Sequence, residues 1–154
     1  MRQVYFSNVV AAAMITAIRD ACGLQPRIVL YGLGEGDSTP AGPEVPFGPG
    51  YGYVIAEAQY PDADWTGVGG PWLRTNDSGA WLLEAVAVGE VAYARIVDAD
   101  TGDCRIQSDV AEGDPGADGP AIWIDERTVS VIGATIPVWG IAIEVLQSAH
   151  VMGP

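Results

Sequence analysis

Apolar residues in the first part of the chain recur at helical spacing. Ser7 or Asn8 is a good helix N-cap, and apolar residues that lie four apart follow: Val10, Met14 and Ile18. Gly23 stands where many helices end, and Pro26 prevents continuation. This pattern predicts an amphipathic helix over residues 8–22. Its apolar stripe must be buried against a sheet face or against a neighbouring subunit.

Most of the remaining chain shows short apolar or alternating runs separated by turn residues, which is typical of β-strands. The predicted strands are 27–31, 53–59, 80–88, 91–97, 104–110, 121–125, 128–132 and 135–146. Gly89 and Glu90 form a two-residue hairpin signal between two of these strands. Alternation in the strand after the Asp-rich turn places Cys104 and Ile106 on one face. The chain is therefore predicted to be mainly β, an antiparallel β-sandwich or jelly roll with one N-terminal α-helix.

Two loops interrupt this pattern. Residues 32–52, here called the Gly/Pro segment, contain seven glycines and four prolines, a density of helix and strand breakers that excludes regular structure. We expect this segment to be an extended arm that orders against a neighbouring subunit, although packing on its own domain is an alternative. Aromatic residues in the arm and in the second loop, residues 60–79, are the candidate partner-binding positions: Phe47, Tyr51, Trp65 and Trp72.

Length and composition fit a single globular domain, residues 1–154, with a β core over 53–147. Seven basic against twenty acidic side chains give a net charge of −13, which argues against direct nucleic-acid binding because phosphate contacts need clustered cations. The apolar run from Val9 to Ile18 is too short to span a membrane. The two cysteines, Cys22 and Cys104, are widely separated and are predicted to be free buried thiols.

The sequence contains no recognisable catalytic or cofactor motif. Its one histidine, His150, lies near the C-terminus, where a base held by an orienting partner is not expected. Oxygen ligands in loops can bind calcium, which makes one acidic turn a weak candidate calcium site: Asp98, Asp100 and Asp103. Asp and Gly are also preferred turn residues, which explains the same residues without a metal. We predict no catalytic residue, no cofactor and no defined metal site.

The strand–turn–strand block from Ala92 to Val110 resembles a group of small virion structural proteins of tailed bacteriophages. The stretches Gly116–Asp125 and Thr128–Val129 are similar to the block that follows in that family. The N-terminal helix, with Gly23 and the strand that begins at Arg27, resembles its opening. The Gly/Pro segment is longer in this chain, and the similarity covers about two-thirds of the residues.

The resemblance implies a structural component of a phage virion, not an enzyme. A capsid decoration or cement protein is the first expectation, with copies of itself and other virion proteins, such as the major capsid protein, as partners. A neck or tail accessory protein is an alternative. An alternative of another class is a carbohydrate-binding receptor-recognition module that uses Trp65 and Trp72.

Overall fold

The computed structural model describes residues 7–23, 26–59, 65–66, 73–75, 81–113 and 121–142. Within these ranges lie one helix and ten strands: α1 (Asn8–Ala21), β1 (Pro26–Gly32), β2 (Tyr53–Gln59), β3 (Trp65–Thr66), β4 (Leu73–Thr75), β5 (Trp81–Glu84), β6 (Gly89–Asp98), β7 (Cys104–Glu112), β8 (Ala121–Ile124), β9 (Thr128–Val129) and β10 (Thr135–Ala142). The mainly β fold with one N-terminal helix is confirmed. No helix in the described ranges has the length and apolarity needed to cross a membrane.

Helix α1 begins at Asn8, as predicted, with Ser7 as its N-cap, and ends at Ala21, one residue before the predicted end. The Ser7 hydroxyl accepts a hydrogen bond from the Val10 N–H at 3.3 Å, which satisfies one free amide of the first turn. At the other end Gly23 has a φ of +83°, a conformation that other residues rarely adopt. A Cβ at Gly23 would lie 3.0 Å from the Asp98 carboxylate, so the helix ends in close contact with the turn after β6.

Only the end of α1 reaches the barrel. Cys22 is buried in the core, and Ile18 packs against the same cluster of side chains. Val9 is 80% exposed, and Val10 and Met14 are also exposed. The first half of the predicted apolar stripe is therefore substantially exposed to solvent.

The strands form one continuous sheet that curls into a nearly closed barrel. Seven strands follow one another in the order β2–β1–β6–β7–β8–β10–β5. A single antiparallel bridge, Ala56 to Ala85, then connects the end of β5 back to β2. Strand β1 therefore lies between β2 and β6, whereas β2 has β1 on one side and this bridge on the other. Most neighbours are antiparallel, as predicted, but β7 and β8 are parallel.

The barrel encloses the main apolar core. Buried side chains from most strands meet there, among them Ile28, Leu30, Ile55, Leu83, Ile96, Ile122, Ile124 and Val138. Alternation along β1 and β6 places every second residue inside, as strand geometry requires. Both strands are nevertheless buried on their outer faces too, which shows that a second layer covers them.

The predicted hairpin at Gly89 and Glu90 is wrong. Strand β5 pairs with β10, and β6 pairs with β1 and β7, so β5 and β6 are not neighbours. Gly89 has a different role: the Tyr53 hydroxyl occupies the space where its Cβ would be, and that hydroxyl donates to the Val88 carbonyl at 3.0 Å. A glycine is needed here for close approach of β2, not for a two-residue turn.

The predicted face of Cys104 is also wrong. Ile96 pairs with Ile106, but the next residue, Val97, pairs with Cys104, so β7 contains a bulge at residue 105. An extra residue in one strand shifts the side-chain alternation by one position. Cys104 therefore lies on the outer side with Val97, whereas Ile106 packs against the core.

Candidate functional site

The Gly/Pro segment covers the outer face of β1 and β6. Four buried side chains form a second apolar cluster there: Val29, Tyr31, Tyr93 and Val97. The rings of Tyr31 and Tyr93 stack, with centroids 4.7 Å apart and planes inclined by 12°. Phe47 of the segment contacts Tyr31 at a centroid distance of 4.7 Å. The cluster thus lies between the barrel wall and the segment, outside the main core.

Arg95 fixes the segment to the barrel. Its side chain lies on the outer face of β6 and is only 2% exposed. One terminal nitrogen, Nη2, donates to the backbone carbonyls of Val45 at 2.7 Å and Gly42 at 3.2 Å. Nε and Nη2 also donate to the Gln107 side-chain oxygen at 3.0 and 2.8 Å. A guanidinium has five N–H donors in a rigid plane, so it can donate hydrogen bonds to several carbonyls of an irregular loop at once.

Further hydrogen bonds attach the segment along its length. The Gln107 side-chain amide donates to the Pro40 carbonyl at 2.7 Å, and the Tyr93 hydroxyl donates to the Tyr51 carbonyl at 2.7 Å. Within the segment, the Ser38 N–H donates to the Gly50 carbonyl at 3.0 Å. The expectation of an arm held by a neighbouring subunit is corrected by these contacts. The segment packs on its own domain because β6 and β7 supply the side-chain donors that its irregular backbone needs.

A cavity of about 520 Å³ opens between the Gly/Pro segment and the barrel wall. Three arginines line it: Arg27, Arg95 and Arg105. Tyr31 and Phe47 form its aromatic wall, and the carboxylate-bearing residues Glu44 and Asp103 also line it. The chain has seven basic residues, so nearly half of its cations face one cavity. This concentration of positive charge is unexpected in a molecule with a net charge of −13.

The structure places only part of the predicted partner-binding set. Phe47 is 41% exposed at the mouth of this cavity, and Tyr51 is half-buried with its carbonyl bonded to Tyr93. The backbone of Trp65 lies in β3, while Trp72 and His150 fall outside the described residues. Phe47 and Tyr51 thus belong to the segment that covers the barrel. Their contact with a partner stays a prediction.

The acidic turn of the weak calcium hypothesis is explained by hydrogen bonding. The Asp98 carboxylate accepts the Asp100 N–H at 3.0 Å and lies 3.5 Å from Arg105 Nη2. These interactions, led by the Asp100 N–H, lower the pKa of Asp98. Among the described residues, Asp98, Asp100 and Asp103 included, no group of three potential metal ligands converges.

A second surface feature is an apolar patch, defined here as Val86, Val88, Val131 and Ile132. These side chains are 48–66% exposed. Backbone hydrogen bonds between Ala85 and residues 133–134, together with the pairing of Gly89 with Val129, hold the two parts of the patch side by side. A cavity of about 400 Å³ adjoins it, with Val129, Ala134 and Pro137 among its lining residues. Exposed apolar side chains that are grouped in this way are typical of a contact site.

Arg95 was missed in the sequence although one signal points to it. An arginine in the middle of the apolar run Val91–Val97 conflicts with a strand that is buried on both faces unless its charge has a dedicated partner set. The partners lie in residues 42–45 and at Gln107, too far away in sequence for any local pattern to indicate.

Comparison with known protein families, with curated proteins and with solved structures finds no match for this chain.

Proposed function

We propose that this protein is a structural component of a tailed-phage virion, that it acts by assembly and not by catalysis, and that it decorates the capsid. The observation that carries the proposal is the apolar patch, whose four side chains are 48–66% exposed and lie outside the core cluster. The block that resembles small virion proteins corresponds to β6, the acidic turn and β7.

Charge supports an assembly role for the patch. With a net charge of −13, copies of the chain repel one another in solution, so their association needs a surface that carries no charge. The patch supplies such a surface, because its four members are aliphatic. Burial of exposed apolar area stabilises a contact by about 25 cal/mol per Å² before ordering costs are subtracted.

A neck or tail position is the alternative within the same class. It would use the same patch with a different partner surface. The carbohydrate-binding alternative rests on Trp65 and Trp72, whose side chains are outside the described structure, and no described residue favours it.

Immuno-electron microscopy of intact phage particles, with an antibody raised against the purified protein, tests the proposal. We expect label distributed over the capsid shell. Label confined to the neck or tail would support the alternative position. Purified particles without label, from lysates that contain the protein, would contradict a virion role.

A further inference from the structure

Two arginines of the cavity under the Gly/Pro segment lack a carboxylate partner among the described residues. Arg95 is buried, and its hydrogen-bond acceptors are two backbone carbonyls and an amide oxygen, all uncharged. Arg27 has a buried Nε with no hydrogen-bond partner among the described residues. Neither arginine forms an ion pair within the described ranges. A buried charge without an opposite charge is unfavourable, so an anion in this cavity would stabilise Arg95 and the partly buried Arg27.

The third arginine, Arg105, forms only weak ion pairs. Arg105 Nη2 lies 3.5 Å from the Asp98 carboxylate and 3.7 Å from that of Asp103, and its side chain is 37% exposed. Exposed ion pairs of this length contribute little and are easily exchanged for another partner. Glu44 and Asp103 reduce the positive charge of the cavity, yet its lining residues keep a formal charge of +1.

We propose that this cavity binds a small oxyanion, a carboxylate or a phosphate, held by Arg27, Arg95 and Arg105. The planar guanidinium fork matches the two oxygens of either group. The volume of about 520 Å³ is in the range of small-molecule sites. Tyr31 and Phe47 form an aromatic wall for the apolar part of an organic acid. The inference is independent of the virion proposal, since it concerns another face of the barrel and another kind of ligand.

Isothermal titration calorimetry of the full-length protein tests the proposal, with inorganic phosphate and citrate as separate probes and ionic strength held constant with NaCl. We expect saturable binding of at least one probe with a stoichiometry near one. Binding of citrate alone would identify a carboxylate ligand, and binding of phosphate alone a phosphate ligand. Saturable binding of neither would overturn the proposal.

Two variants that change the charge of the cavity in opposite directions make the test specific. Arg27→Gln removes the cation without touching the hydrogen bonds of Arg95, and we expect it to weaken binding about tenfold or more. Glu44→Gln removes a negative charge from the cavity and is expected to strengthen binding. Arg19→Gln is the matched control, because Arg19 pairs only with Asp20 on helix α1 among the described residues.

Equal weakening by Arg19→Gln and Arg27→Gln would show general charge attraction and overturn the site, as would wild-type affinity in Arg27→Gln. Circular dichroism confirms that each variant is folded. If Arg27→Gln does not fold, Glu44→Gln decides: unchanged or weaker affinity in that variant contradicts the proposal.

Discussion

The Arg95 side chain connects β6 to carbonyls that lie 50 and 53 residues away in the sequence. Its position on β6 is set by strand alternation, which directs Tyr93, Arg95 and Val97 to the outer face. Its acceptors on Gly42 and Val45 belong to a segment that cannot satisfy its own carbonyls by regular structure. The arginine therefore replaces secondary structure as the source of hydrogen bonds for the Gly/Pro segment.

Replacing this arginine by an apolar residue of similar length tests that role. Arg95→Met leaves two carbonyls and the Gln107 amide oxygen without their donor, and the free energy of unfolding should fall by about 2–4 kcal/mol. Arg105→Met is the control, since its long, half-exposed ion pairs should contribute less than about 1 kcal/mol. Urea denaturation measures both. Equal losses in the two variants would show that Arg95 is not the attachment point.

Burial of Cys22 gives the fold a dependence on alkaline pH. Desolvation raises the pKa of this thiol from 9.0 to about 11, and the thiol is free. The unfolded chain releases the proton above pH 9, while the folded chain keeps it. Stability from this group is complete below pH 9 and is lost as the pH rises toward 11.

A pH series of denaturation curves measures this effect against Cys22→Ala. Between pH 8 and pH 11 the stability advantage of the wild type over the variant should shrink by about 2 kcal/mol. The variant controls for the tyrosines and for every other group that titrates in this range. An advantage that stays constant across the series would mean that the thiol ionises in the folded state as readily as in the unfolded one.

At the level of elements, local patterns predict local structure well. The cap at Ser7 and the breaker at Gly23 define α1, and the run 53–59 matches β2. Which strands pair, and which face of the sheet a side chain lies on, depend on contacts that are distant in sequence. Local patterns do not predict these features. Gly89 resembles a hairpin glycine but serves the packing of Tyr53, and the bulge beside Cys104 becomes visible only against β6. The arginine cavity could not be predicted from local patterns either, because its three arginines come from three separate strands.

The Gly/Pro segment acts as an outer layer of the fold, which a deletion can test. Removing residues 38–50 leaves a short connection between the antiparallel neighbours β1 and β2. The loss exposes the Tyr31–Tyr93 cluster and removes the carbonyl partners of Arg95. Differential scanning calorimetry should show a decrease in Tm of about 5 °C or more. Pro49→Ser, at an exposed position of the same segment, should change Tm little. A deletion variant with the wild-type Tm would show that the segment does not stabilise its own domain and would support the alternative of an extended arm.

Among the described residues, this strongly negative molecule exposes uncharged regions that include the apolar patch and the first turns of α1, where Val9 and Val10 are exposed. These side chains do not belong to the apolar core that the nearly closed ring of seven strands surrounds. Repulsion between copies falls with added salt, whereas apolar contact does not. Association of this chain should therefore depend on the uncharged regions for affinity.

One charge placed in the patch is expected to prevent that association without harming the fold. Ile132 is 66% exposed, so Ile132→Asp removes no core contact and the unfolding free energy should change by less than about 0.5 kcal/mol. Burying the new carboxylate against a partner is unfavourable, and attachment to phage particles should weaken about tenfold or more.

Thr101→Asp adds the same charge at an exposed position in the turn after β6 and should attach like the wild type. Co-sedimentation of each purified variant with particles that lack the protein measures the difference. Wild-type attachment of Ile132→Asp would exclude the patch as the contact surface, and equal loss in both variants would show that added charge alone is responsible.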